Sequence, residues 1–151
     1  MLLIGVAEQT GGSQLQGATL RQTLRMTVGA ERIRVQISNT FGTSELPVTA
    51  ATLALPAGGT AGVGGIDTAT LVELTFDGQA SVSVPQGEVI YSDPVDFAVE
   101  SQSMLTLSMY LEAGQQGSSI TGHPGSRTTS WMASGDAVGE ADVSGGSALH
   151  W

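Results

Sequence analysis

A chain of 151 residues with 40% hydrophobic and only 13% charged side chains has the apolar content for one core, and a chain of this length buries roughly 68–70% of the surface its unfolded form exposes. Its net charge of -9 and its five cations, all Arg, are the wrong balance for a protein that neutralises nucleic-acid phosphates through many Lys and Arg contacts. The absence of Cys removes disulfides and thiolate chemistry together and leaves the redox compartment open.

The apolar opening Leu2 to Ala7 has no basic flank, is too short for a secretory h-region, and falls far below the roughly 18 residues of a membrane span. Residues 1–18 therefore read as a divergent or truncated N-terminal segment without a signal peptide. The one Asn, Asn39, is followed by Thr40-Phe41, so no N-glycosylation acceptor is present.

From Thr19 to Phe41 the alternation is that of strands. Leu20, Gln22, Leu24, Met26 and Val28 share one face, and Arg21, Thr23, Arg25 and Thr27 the other. The pattern resumes with Ile33, Val35 and Ile37 against Arg32, Arg34, Gln36 and Ser38. Gly29-Ala30 between them has the composition of a two-residue hairpin turn with Gly at the first central position. The expected hairpin pairs Met26 with Ile33 and Leu24 with Val35, and it sets Arg25 opposite Arg34. Like charges placed opposite each other destabilise a sheet, so Arg21, Arg25, Arg32 and Arg34 require an answer. One answer is pairing with acids of neighbouring strands or of a second domain; the other is an anion or acidic-sugar site.

Further strands are expected at Val48–Leu55, Leu71–Phe76, Ser81–Val84, Val89–Ser92, Met104–Glu112 and Arg127–Ala133, each bounded by Gly, Pro, Asp or Ser. The Gly- and Pro-rich stretch 56–65 reads as a flexible connection. Short strands, many turns and no helix of ordinary length predict an all-β fold, an antiparallel β-sandwich or jelly roll forming a single domain over 19–151.

The residues do not assemble a catalytic motif. Gly135-Asp136 is followed by Ala137, which has no hydroxyl, and reads as a plain turn. His123 and His150 are the two candidate general bases, and His123 sits in Gly-His-Pro-Gly, a loop composition. Asp93 and Asp96 flank Pro94 and are weak Ca²⁺ candidates, with a carboxylate-bearing turn as the plainer reading. No metal and no cofactor is expected. Trp131, Trp151 and Tyr110 are candidates for stacking on sugar rings, or for core and interface packing.

Four strings, Thr19-Leu-Arg-Gln-Thr-Leu-Arg, Arg32-Ile-Arg-Val-Gln-Ile-Ser-Asn-Thr-Phe-Gly, Tyr91-Ser-Asp-Pro-Val-Asp and His123-Pro-Gly-Ser-Arg-Thr-Thr-Ser-Trp, together resemble the amino-terminal region of secreted, fungal-type GDSL-like (SGNH) lipase/acylhydrolases. The resemblance implies a β-sandwich placed ahead of an α/β/α catalytic domain, with the Gly-Asp-Ser nucleophile, oxyanion Gly and Asn, and Asp-x-x-His pair all in that later domain. It implies an extracellular parent protein, a catalytic domain after residue 151 as partner, and Arg21, Arg25, Arg32, Arg34, His123, Arg127 and Trp131 as candidates for the domain interface or a ligand. On this reading the chain by itself is inactive. The alternative is a free-standing module that binds a glycan or an anion. An edge left by a missing first strand would favour a homodimer.

Overall fold

The structure, a computed structural model, describes residues 15–117, 121 and 127–150. His123 and Trp151 lie outside the described residues, as do residues 1–14. Period-2 alternation builds nearly everything else. In chain order the strands are β1 (Ala18–Arg25), β2 (Ala30–Ile33), β3 (Gln36–Ser38), β4 (Leu46–Val48), β5 (Ala50–Pro56), β6 (Ile66–Glu73), β7 (Val82–Val84), β8 (Val89–Tyr91), β9 (Val95–Val99), β10 (Met104–Leu111), β11 (Thr129–Ser134) and β12 (Ser147–His150), with one short 3-10 turn at Ala57–Gly59.

They form an all-β antiparallel sandwich. One layer is a six-stranded sheet in the order β12-β11-β1-β10-β5-β6. The other is a long two-stranded ribbon in three sections, β2 with β9, β3 with β8 and β4 with β7. Leu20 of β1, Leu105, Leu107, Met109 and Leu111 of β10 and Leu53 of β5 point from the sheet into the core. Val35, Ile37, Leu46, Val48, Val84, Phe97 and Val99 meet them from the ribbon. Among the described residues, no helix is long and apolar enough to cross a membrane.

The expected hairpin is not there. β1 pairs with β10 and β11, so Leu24 lies opposite Leu105 and Arg25 opposite Met104, while β2 crosses to the other layer and pairs with β9. Gly29 lacks the positive φ that a type II′ turn demands. It sits close to β9 instead, where a Cβ would lie a tight 3.2 Å from the Val99 carbonyl oxygen. Val28, expected on the apolar face, is 68% exposed at the crossing.

Elsewhere the strands fall near their expected places with shifted ends. Val48–Leu55 divides at Thr49 because β4 belongs to the ribbon and β5 to the sheet. The strand expected at Leu71–Phe76 runs from Ile66 to Glu73, leaving Leu74 and Phe76 buried beyond its end. β9 and β12 were not anticipated: Val95–Val99 follows a proline, and Ser147–His150 is a four-residue edge strand.

Candidate functional site

The outward face of the six-stranded sheet is made of small polar residues. Thr19, Arg21 and Thr23 of β1 lie beside Ser108 and Thr106 of β10 and Thr52 of β5, and all six are buried. A solvated sheet face would carry exposed charges. Here the backbone of residues 57–65 and 135–146 covers it, and the hydroxyls of Thr19, Thr23 and Thr52 bond that backbone directly. Thr19 Oγ1 donates to the Gly135 carbonyl at 2.7 Å and accepts from the Ala137 N–H at 2.9 Å. Thr52 Oγ1 donates to the Val138 carbonyl at 2.9 Å, and Thr23 Oγ1 accepts from the Gly62 N–H at 2.7 Å. The two covering segments also bond each other, Ile66 N–H to the Ala141 carbonyl and Val143 N–H to the Gly64 carbonyl.

Arg21 is the pivot of this layer. It is 0% exposed, and its guanidinium donates to Ser108 Oγ at 2.8 Å, to the Gly64 carbonyl at 2.8 Å, and to the Ala137 and Val138 carbonyls at 3.2 and 3.3 Å. No described carboxylate touches it. Burial lowers its pKa from the ordinary arginine value, and the fields of Asp142 and Glu140 oppose that shift. Bidentate pairing with an acid was the expected answer to this cation, but carbonyl dipoles supply it. A guanidinium presents its donors in a rigid planar fork, which suits several fixed backbone acceptors at once.

The other arginines are exposed and separate from Arg21. Arg25 donates to Gln102 Oε1 at 2.6 Å on the surface. Arg32 pairs with Asp96 at 3.3 Å, both largely exposed, a geometry that contributes about 0–1 kcal/mol. Arg34 is exposed and acts on Asp93 through its field. Arg127 is exposed with φ 55°. Trp131 is half-buried on the outward face and donates its indole N–H to the Gly62 carbonyl at 3.0 Å. Among the described candidates, Arg21 and Trp131 thus belong to the covered face of the sheet, while Arg25, Arg32, Arg34 and Arg127 are exposed.

The two weak Ca²⁺ candidates are engaged elsewhere. Asp96 holds Arg32. Asp93 accepts from Thr75 Oγ1 at 2.7 Å and from the backbone N–H groups of Gly78 at 2.8 Å and Asp77 at 3.0 Å, capping the Phe76–Gln79 turn. Among the described residues, no group of three or more His, Cys, Asp or Glu is placed to hold a metal ion. The Thr75 hydrogen bond, then that of Gly78, holds the Asp93 carboxyl below its ordinary 3.8. A carboxyl depressed in the folded state adds stability above its unfolded pKa and loses it as pH falls through the folded value. Thermal stability should therefore drop on acidification below about pH 4, and Asp93→Asn should make that drop shallower. Asp142, depressed by Ser144, keeps part of the slope in the variant. Coincident melting-temperature-against-pH curves for the two proteins would remove Asp93 from the account.

Neither a protein-family model nor a curated protein matches this chain.

Asn39 is a second pivot, not anticipated as a site. It is 0% exposed; its Nδ2 donates to the carbonyls of Ser44, Val84 and Pro85 at 2.7, 3.1 and 3.3 Å, and its Oδ1 accepts from Gln115 Nε2 at 2.8 Å. One amide thus joins the turn after β3, the end of β7 and the segment after β10. Gly42 must be glycine because a Cβ there would sit 1.9 Å from Asn39 Oδ1. At Gly135-Asp136, Gly135 has φ 77° and Asp136 Oδ1 accepts from the Val138 N–H, the plain turn expected from the sequence.

A groove of about 920 Å³ opens where the 3-10 turn and the ends of β5 and β9 approach the starts of β2, β6 and β10. None of its lining residues is a candidate site residue by sequence. Its acids are scattered along the chain at 31, 67 and 100, and only the fold brings them to one rim.

Proposed function

We propose that this chain is the noncatalytic β-sandwich of a GDSL-like ester hydrolase, supporting or shielding a catalytic domain that follows it in the same polypeptide. The observation that carries the reading is the use made of the strings that resemble that family. Arg21 in the first, Asn39 in the second and Asp93 in the third are each consumed by internal hydrogen bonds that hold turns and covering loops in place. Residues used in this way build a scaffold, and they leave ester chemistry to groups outside it. The alternative, a glycan- or anion-binding module, has less to rest on. Of the arginines that would make an anion face, Arg21 is buried and Arg32 is paired with Asp96, and the Trp131 indole N–H is committed to a backbone carbonyl.

The test is hydrolysis of p-nitrophenyl acetate and butyrate by this chain alone and by a longer chain that continues into a Gly-Asp-Ser domain. The expected result is background hydrolysis by the former and saturable turnover by the latter, because the nucleophile and its oxyanion donors reside in the added domain. Saturable turnover by the short chain that survives purification and is abolished by substituting one Ser or His123 would sink the proposal.

A further inference from the structure

The groove at the end of the sandwich has a distinct chemistry. Leu55 at the end of β5 and Met104 at the start of β10 give it an apolar lining, while Glu31, Asp67 and Glu100 bring three exposed carboxylates to the same depression from three different elements. No described cation lines it. The nearest arginine in sequence to the Gly29–Glu31 wall on its N-terminal side, Arg25, has its guanidinium on Gln102 Oε1. Arg32, next to Glu31, is paired with Asp96. The Arg32 charge is thus answered by Asp96, Arg25 keeps its charge where it bonds the lining residue Gln102 at the wall, and no described Arg is itself part of the lining.

We infer that this groove is a docking site for a basic segment of a partner polypeptide, with Lys or Arg side chains laying their alkyl stems over Leu55 and Met104 and setting their charges among Glu31, Asp67 and Glu100. Both halves of such a side chain find what they need here. The aliphatic stem gains from covering apolar surface, and the charged head stays at a hydrated rim. The groove excludes anions by like-charge repulsion, and its volume of about 920 Å³ accommodates several residues of an extended segment. The protein's net charge of -9 draws a basic partner from a distance, and the groove gives that attraction a place to settle. Docking of this kind is independent of the ester-hydrolase reading, since it concerns binding and stands or falls whatever the hydrolysis assay gives.

The experiment is a calorimetric titration of the full chain with acetylated trilysine amide at low and at near-physiological salt. Three proteins are compared: the native chain, a groove variant carrying Glu31→Gln, Asp67→Asn and Glu100→Gln, and a variant of equal net charge carrying Glu45→Gln, Glu88→Gln and Glu112→Gln, whose acids are exposed outside the groove. The native chain and the second variant are expected to bind alike, with affinity falling as salt rises. The groove variant should bind about ten-fold more weakly, the sum of three partly screened ion pairs. Equal weakening in both variants would mean that net charge alone attracts the peptide, and absence of binding to the native chain would mean that the groove is no docking site; either overturns the inference. Spermidine, with the same number of positive charges and no peptide backbone, is expected to bind more weakly than the peptide. Spermidine binding as tightly as the peptide would overturn the polypeptide partner in favour of a small polyamine. All the substituted acids are exposed, so each variant should keep the native melting profile, which circular dichroism checks.

Discussion

Arg21→Ala is expected to cost about 3–5 kcal/mol of folding free energy, the range for removing one member of a buried charged network. The truncation leaves the carbonyls of Gly64, Ala137 and Val138 and the hydroxyl of Ser108 facing a void that lacks their donor. It also leaves Asp142 and Glu140 without the cation whose field reaches them. Arg21→Met, which refills most of the volume, should recover little, because the orphaned acceptors remain buried and unpaired. Arg21→Lys should fall between those two variants and the native protein, since an ammonium keeps the charge but is a point charge that cannot serve four acceptors spread across a planar fork. Urea denaturation measures all three, and at this chain length the alanine variant should melt roughly 6–20 °C below the native protein. A neutral Arg21→Met would show that burial, rather than the guanidinium's hydrogen bonds, holds the covering segments to the sheet.

The second large effect belongs to Asn39→Asp, which exchanges an amide nitrogen for an oxygen in a side chain that is 0% exposed. The amide Nδ2 donates to three carbonyls, and a carboxylate oxygen in its place would present negative charge to all three. At neutral pH the expected loss is about 3–5 kcal/mol, comparable to leaving a charge buried without a partner. The pH dependence identifies the cause. Burial and three facing carbonyl dipoles push the pKa of the introduced carboxyl up in the folded state, so the variant should regain stability as pH falls through that raised value and the protonated acid donates once more. Native protein and variant should therefore differ most at neutral pH and converge on acidification, opposite in sign to the Asp93 dependence. A deficit independent of pH would place the damage in altered packing around Gly42 and Gln115.

Strand positions were legible because alternation is a local property, and β10, with Leu105, Leu107, Met109 and Leu111 on one face, was placed within a residue of its observed bounds. Pairing was not legible. Gly29-Ala30 carries a hairpin composition, yet both neighbours of β1 come from beyond residue 103, and no local signal records them. The arginines stand out as a problem in the sequence, but their separate fates depend on contacts with Gly64, Gln102, Asp96 and Asp93 that only the tertiary fold creates. One sign of the covered face does reside in the sequence. The outward positions of β1, β5 and β10 hold Thr19, Thr23, Thr52, Thr106 and Ser108 where a solvated face would carry Lys or Glu. Strands whose polar side is that small are covered on both faces. The 56–65 stretch, rich in Gly, is accordingly a fitted cover whose carbonyls at Gly62 and Gly64 receive Trp131 and Arg21, rather than a loose connection.

The pairing of β1 with β10 and β11 bears on how the chain is made. During synthesis Leu20 and Leu24 leave the ribosome early, and no partner strand for them exists until residues 104–111 have followed. Until those residues emerge the nascent chain therefore carries an unpaired strand edge with an apolar stripe, a species prone to associate with its like. Because contacts between distant segments must close before they stabilise anything, folding of the sandwich should be slow and should not finish before residues 129–150 are made. Yield on overexpression should accordingly respond to temperature and to holdase chaperones more strongly than the stability of the finished sandwich would suggest.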